Sequence, residues 1–252
     1  MSLKYQTDDS EQVPDNANAQ PRLPIPLYTY ILVTAIATVF VVQCLTGGAL
    51  SSAIVGDEHS ASLAGFDKHA FLRNHEYWRI LTGVMVHGGI LHIFFNSFAF
   101  YNLGRIFEML SNHAHLAIVF LLSAVGGNLL SLVFIPDVTS IGASGGIVGF
   151  LGYLAIYAFR RRQFISPGFR KNLLMNIGFI LIFGLALYQV VDNFGHIGGL
   201  ITGAFYGFIQ IPSDAHVDPR AASSLVQLGG LAALGICLAT CGFTILLILG
   251  VI

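Results

Sequence analysis

Residues 141–159 read IGASGGIVGFLGYLAIYAF, and residues 195–211 read GHIGGLITGAFYGFIQI. Both runs are apolar and close to the roughly 20 residues that cross a hydrocarbon core of about 30 Å. Each carries one reactive side chain near its start, Ser144 in the first and His196 in the second. Because polar groups are costly in lipid, a serine and a histidine at these places indicate a function.

The composition is typical of an integral membrane protein. Of the 252 residues, 55% are hydrophobic and only 10% are charged, whereas soluble domains average about 25% charged residues. The sequence therefore predicts an all-α polytopic membrane protein. The net charge of −1 gives no indication of a nucleic-acid partner. Cys44, Cys237 and Cys241 lie in apolar segments without disulfide or metal-site spacing, and we expect them to be packing residues.

Seven apolar stretches are long enough to be candidate membrane helices. They span residues 27–45, 90–107, 116–134, 141–159, 173–191, 195–211 and 225–252. We expect the first to be a signal-anchor helix, with a cleaved leader ending near Ala53 as the alternative. The predicted organisation is a disordered cytoplasmic tail (1–26), a six-helix catalytic core (27–211), a loop (212–224) and a seventh transmembrane helix (225–252).

The distribution of basic residues predicts the orientation. With the N terminus inside, nine lysines and arginines lie on the inner side and three on the outer side, as the positive-inside rule requires. Ser144 then lies about 10 Å along its helix from the outer boundary, at 1.5 Å per residue. His196 follows Asp192 by one turn at the start of a span that also enters from outside. Both groups are therefore predicted toward the outer or luminal face.

Glycine stripes give the two helices a way to approach each other. Small residues at four-residue spacing let membrane helices pack closely, which a serine–histidine hydrogen bond between helices requires. The stripes comprise Gly142, Gly145, Gly149 and Gly152 on one span, and Gly195, Gly199, Gly203 and Gly207 on the other.

A third polar cluster lies near the second span. His87 precedes Gly88-Gly89, a plausible start for the helix, and His92 and Asn96 follow one turn apart. Donors aimed at a point near Ser144 would form an oxyanion hole.

Together these residues resemble those of the rhomboid intramembrane serine proteases, in the subclass with six core helices and a C-terminal seventh. The matching motifs are Glu76-x-Trp78-Arg79, His87 with His92 and Asn96, Gly104-Arg105-x-x-Glu108, Gly142-x-Ser144-Gly145, and His196-x-x-Gly199-x-x-x-Gly203. They occur in family order over residues 27–211.

The resemblance implies a role for each matching residue. Ser144 would be the nucleophile and His196 the general base and later acid, while His92, Asn96 and the Ser144 N–H would hold the oxyanion. Supporting residues are implied as well: His87 with a structural role in the loop, Trp78 and Arg79 in a structured first outer loop, and Glu108 and Arg105 in polar pairing at the inner end of the second helix.

Two positions leave the local arrangement open. Asp192 could complete a triad, but a helix-start aspartate that complements the helix dipole is the interpretation we favour. Val148 departs from the family, in which many members carry an aromatic residue that packs against the catalytic imidazole. Phe150, Phe194 or a neighbour could substitute for that ring, or the His196 ring could be held more loosely.

The expected reaction is cleavage of transmembrane segments of other membrane proteins that unwind locally, because an intact helix hides its carbonyls. No metal or cofactor is expected, and the partners are the lipid bilayer and such substrates; the oligomeric state is left open. A bacterial inner membrane or a plasma membrane is the expected location.

One alternative is a metal site at His87, His92 and His196, although His-Glu-x-x-His is absent. The other is a noncatalytic rhomboid-like chaperone or trafficking protein.

Overall fold

The computed structural model describes residues 25–47, 54, 56–214 and 216–252. Within these ranges the chain is built from ten helices: α1 (Leu27–Thr46), α2 (Glu58–Ala64), α3 (Lys68–Arg73), α4 (Arg79–Met85), α5 (Ile90–Leu110), α6 (His113–Phe134), α7 (Ser144–Arg160), α8 (Pro167–Ala186), α9 (Asn193–Gln210) and α10 (Ser224–Ile248). The tail predicted to be disordered lies almost entirely outside the described residues.

Each of the seven apolar stretches contains a long helix. Among the described residues, α1, α6, α8 and α10 are long and apolar enough to cross a membrane, and α4 with α5 would be a fifth span bent by 94°. Helix α7 is apolar but has only 17 residues. The prediction of an all-α polytopic membrane protein is confirmed.

The start of the fourth span differs from the prediction. Helix α7 begins at Ser144 itself, not at Ile141, because Gly142 has φ +108° and its N–H donates to the Gly83 carbonyl at 2.8 Å. Ser140, just before, forms an isolated antiparallel bridge with Phe66. The assumption that the residues just before Ser144 are helical, on which the predicted distance of about 10 Å was based, was therefore wrong.

The centre of the bundle is the contact between α7 and α9, with α6 packed against both. A Cβ at Gly199 would overlap the Gly145 carbonyl, and a Cβ at Gly203 would overlap the Gly149 carbonyl. Glycine at these positions is what lets the backbones touch. The predicted close packing of the glycine stripes is confirmed.

Helix α8 lies at the edge of the bundle. Leu173 and Gly184 are its buried residues, and it packs against α7 and α9. It begins at Pro167, six residues before the predicted start at Leu173, with Ser166 as its N-cap. Proline suits this first position because its missing N–H would have no partner inside the helix.

At the far end of α5 from the site, a buried carboxylate joins α5 to α1. Glu108 accepts hydrogen bonds from the Thr29 N–H at 2.8 Å and the Thr29 hydroxyl at 2.7 Å. A Cβ at Gly104 would meet the Thr29 side chain, so glycine makes room for this contact. The polar pairing expected here involves Glu108 and Thr29, whereas Arg105 lies over the Tyr101 ring.

Candidate active site

Ser144 opens helix α7 and borders a small polar cavity. The cavity has a volume of about 20 Å³, which is room for one water molecule. Its lining includes Ser144, Ser140, Asn128, Asp192 and Gly195. As a first-turn residue, Ser144 has a backbone N–H without an acceptor inside the helix. That N–H and the helix dipole both favour negative charge at this point.

His196 lies in the first turn of α9. The side chain of Asp192 caps this helix by accepting from the Gly195 N–H at 2.7 Å, and the His196 N–H donates to the Asp192 carbonyl at 3.1 Å. The His196 ring is half-buried, and its Nδ1 is buried without a hydrogen-bond partner. It lies within electrostatic range of Asp192 and His92.

The residues beside Ser144 and His196 bring the two helix starts into contact. A Cβ at Gly145 would lie 3.2 Å from the Gly195 carbonyl oxygen. Among the described residues, no hydrogen bond joins the Ser144 hydroxyl to the His196 ring. Catalytic hydrogen bonds are often long in a free enzyme and tighten in its substrate complex.

His92 and Asn96 face the turn that precedes Ser144. The His92 Nδ1 accepts from the Gly88 N–H at 3.2 Å, so the neutral ring carries its proton on Nε2. A Cβ at Gly142 would lie 2.7 Å from that Nε2 and 3.7 Å from Asn96 Nδ2. Asn96 donates one amide hydrogen to the His92 carbonyl at 3.1 Å and has a second.

His87 supports His92 from behind. It is 1% exposed, and its ring meets the His92 ring edge-on at 5.0 Å. Gln43 of α1 holds its backbone: Nε2 donates to the His87 carbonyl at 3.2 Å, and Oε1 accepts from the His87 N–H at 3.1 Å. Sequence reasoning missed Gln43, although a lone buried amide in an apolar span was a signal.

Trp78 and Arg79 organise the segment that precedes α5. The Arg79 guanidinium pairs with Glu76 at 2.5 Å and donates to the Ser62 and Gly65 carbonyls at 3.0 and 2.9 Å. The Trp78 ring meets Phe243 of α10 edge-on at 6.2 Å. Both residues therefore hold this segment together; they do not line the cavity.

Asp192 acts as a helix cap. Its Oδ2 accepts from the Ser131 and Ser140 hydroxyls, each at 2.5 Å, while Oδ1 binds the Gly195 N–H. In the described structure, the Asp192 carboxylate makes no hydrogen bond to the His196 ring. The helix-start interpretation is confirmed, and a triad geometry is not present.

The space behind His196 has no aromatic substitute for Val148. Phe194 stacks on Phe134 at 4.6 Å and 5°. Phe150 packs into the core ring cluster around Phe100. Of the described rings, none pairs with His196, so of the two alternatives the structure does not show a substitution by Phe150 or Phe194.

The three histidines near the site do not form a metal cage. Within the described ranges, no three histidine, cysteine or acidic side chains lie in an arrangement that could hold a metal ion.

Comparison with known proteins places the chain in a family. The model of the Rhomboid domain matches residues 74–213. The chain is similar to Rhomboid protease GluP of Bacillus subtilis, at 31% identity over 71% of this chain and 34% of that protein. It is also similar to RHOMBOID-like protein 6, mitochondrial, of Arabidopsis thaliana, at 33% identity over 59% of this chain and 48% of that protein.

A relative with a different description matches as well. Inactive rhomboid protein 1 of Homo sapiens is 33% identical over 54% of this chain and 16% of that protein. The chain thus spans less than half the length of each of these relatives. The match to the Rhomboid domain covers more than half of the chain, including Ser144 and His196. The protein belongs to the rhomboid family.

Proposed function

We propose that this protein is an intramembrane serine endopeptidase with a Ser144–His196 dyad. One observation carries the proposal: three helices begin side by side, and each has at least one of the required groups within its first two turns. Ser144 opens α7, His196 lies in the first turn of α9, and His92 and Asn96 lie in the first two turns of α5. The contacts of Gly142 and Gly145 tie these three helix starts to one another.

The geometry supports a direct sequence of steps. His196 removes the Ser144 proton as the hydroxyl attacks the scissile carbonyl, and then returns that proton to the leaving amine. The oxyanion would be held by the Ser144 N–H, the Nε2–H of His92 and the second amide hydrogen of Asn96. A water in the cavity beside Ser144 then hydrolyses the acyl-enzyme.

The substrate proposed is a transmembrane segment of another membrane protein. A regular helix satisfies its own carbonyls, so cleavage needs a segment that unwinds locally. In the proposed topology the N terminus is cytoplasmic and the site opens toward the outer or luminal face of a bacterial inner membrane or plasma membrane. The core over residues 27–211 would carry the catalysis, and the helix beyond residue 224 would be an addition to it.

A noncatalytic rhomboid-like role is the second candidate. Two observations favour it: a human relative is described as inactive, and in the described structure the Ser144 hydroxyl is not hydrogen-bonded to the His196 ring. Against it, this chain keeps both the serine and the histidine.

The deciding experiment uses the full chain in lipid vesicles with a co-reconstituted transmembrane substrate. Wild type should cleave it, while Ser144→Ala and His196→Ala should not. Matched controls are Ser97→Ala and His113→Ala, which remove the same groups from α5 and from the start of α6. Cleavage that persists in Ser144→Ala or His196→Ala would refute the dyad, and a wild type inactive on a panel of substrates would favour the noncatalytic role.

A further inference from the structure

A buried lysine lies close to the candidate site but outside it. Lys68, in α3, is only 1% exposed. Its ammonium donates to the Ser140 hydroxyl at 2.7 Å and to the Val138 carbonyl. A lysine withdrawn from water in this way needs hydrogen bonds and an opposite charge to be tolerated.

The opposite charge is Asp192. The Ser140 hydroxyl that accepts from Lys68 donates to Asp192 Oδ2 at 2.5 Å, and Ser131 of α6 donates to the same oxygen at 2.5 Å. Lys68 and Asp192 interact electrostatically. The second carboxylate oxygen of Asp192 caps α9 through the Gly195 N–H at 2.7 Å.

This chain of contacts ends at the general base. Asp192 also accepts the His196 N–H on its carbonyl at 3.1 Å, so the cap and the first turn move together. Ser140 lies four residues before Ser144 and is bridged to Phe66, two residues before Lys68. One buried ammonium is therefore linked both to the segment that leads into Ser144 and to the helix start that carries His196.

We propose that Lys68 is a positioning residue: through Ser140 and Asp192 it holds the first turn of α9 so that the His196 ring lies in register with Ser144. The inference rests on the proposed serine protease function. Its physical basis is that Lys68 gives Asp192 a counter-charge. Without that counter-charge the half-buried carboxylate must attract water from the adjoining cavity, which alters the cap on α9.

The test is a double-mutant cycle on the full chain in vesicles, with Lys68→Met, Asp192→Asn and the double variant. Lys68→Met should lower kcat by about 10- to 100-fold with KM little changed, since small displacements of catalytic groups have effects of that size. Asparagine still accepts from the Gly195 N–H and carries no charge. The double variant should therefore recover most of the kcat that Lys68→Met loses.

The matched control is Arg73→Met, which removes an exposed cation from the same helix. It should cleave like wild type. Should Lys68→Met fail to fold, Ser140→Ala carries the test, because it removes the hydroxyl that links Lys68 to Asp192 and leaves both charges. A kcat reduced with KM unchanged supports the proposal in that variant, and an unchanged kcat overturns it.

The outcomes separate this proposal from the one on which it rests. A wild type that neither cleaves substrate nor reacts at Ser144 with a fluorophosphonate refutes the protease function and the positioning role with it. A wild type that cleaves, with Lys68→Met cleaving equally well, overturns the positioning role alone. Kinetic effects of Lys68→Met and Asp192→Asn that simply add also overturn it, because coupled residues must deviate from additivity.

Discussion

Gly142 and His92 occupy adjoining space: a Cβ at position 142 would lie 2.7 Å from the His92 Nε2, and Gly142 has φ +108°. Two independent restraints thus require glycine two residues before Ser144. One is the backbone conformation at position 142, which residues other than glycine rarely adopt. The other is the imidazole whose Nε2–H is the proposed oxyanion donor.

Replacing Gly142 by alanine should damage both the fold and the reaction. Strain at such a backbone conformation costs about 1–3 kcal/mol, and His92 has to move to admit the methyl group. We expect a lower unfolding temperature and at least about a tenfold loss of kcat, in line with a displaced donor. Gly235→Ala on α10 is the control, since no atom lies within 4 Å of its Cβ position. Wild-type cleavage by Gly142→Ala would contradict the placement of His92.

Removing the His92 side chain should affect the transition state selectively. Loss of one oxyanion donor typically lowers kcat by about 10²- to 10³-fold. His92→Ala should show that loss with little change in KM, measured on the reconstituted substrate. His69→Ala is the matched control, because His69 is exposed and pairs with the exposed Asp137 at 3.0 Å. An effect on KM alone would assign His92 to substrate binding instead.

The sequence predicted the helices well because lipid imposes a strong pattern on it. Each predicted apolar stretch contains a helix in the structure, and the glycine stripes form the contact between α7 and α9. What sequence could not give was the break before Ser144. Residues 141–143 are apolar and were predicted to belong to the span, but Gly142 adopts φ +108° and Ser140 pairs with Phe66. These are tertiary constraints from a segment 74 residues away in the chain, and a local pattern does not contain them.

The reactive side chains of the candidate site could be proposed from the sequence, but the residues that hold them in place could not. His92 and Asn96 could be proposed from their one-turn spacing, because helical periodicity puts them on one face. Gln43 and Lys68 lie far from Ser144 in sequence, and only folding brings them close to the site. A substitute ring behind His196 was one of two alternatives that Val148 left open, and Phe194 stacks on Phe134 instead.

Glu108 should matter for stability and not for chemistry. It is buried and accepts two hydrogen bonds from Thr29, which satisfies the otherwise uncapped start of α1. Hydrogen bonds to a charged group contribute about 1.5–3 kcal/mol, so Glu108→Ala should unfold at a clearly lower temperature. Protein that remains folded should keep the wild-type kcat. The control is Arg105→Ala, which removes an exposed cation one turn before Glu108. It should leave the unfolding temperature and kcat unchanged.

The pKa of Lys68 predicts how stability depends on pH. Burial lowers this pKa, and Asp192 and Asp67 only partly oppose the shift. The folded state then binds fewer protons than the unfolded chain between the lowered pKa and about 10.4, the ordinary lysine value. The contribution of Lys68 to stability therefore rises with pH across that window and is lost as pH falls through the folded pKa. Unfolding temperatures of wild type and Lys68→Met should differ progressively in favour of wild type toward about pH 10. A difference that stays constant with pH would contradict a lowered pKa.

Gly199 should be the most sensitive point in the contact that brings Ser144 and His196 together. A Cβ there would overlap the Gly145 carbonyl oxygen, which belongs to the helix backbone and cannot rotate away. Gly199→Ala must push α9 off α7, and overpacking of this kind costs about 1–3 kcal/mol. Because Gly199 follows His196 by one turn, the same displacement moves the imidazole away from Ser144, and cleavage should fall more steeply than stability. Gly178→Ala on α8, where no atom lies within 4 Å, isolates the effect of adding a methyl group to a membrane helix. If Gly199→Ala cleaves at the wild-type rate, the reaction does not depend on the close approach of the two helices.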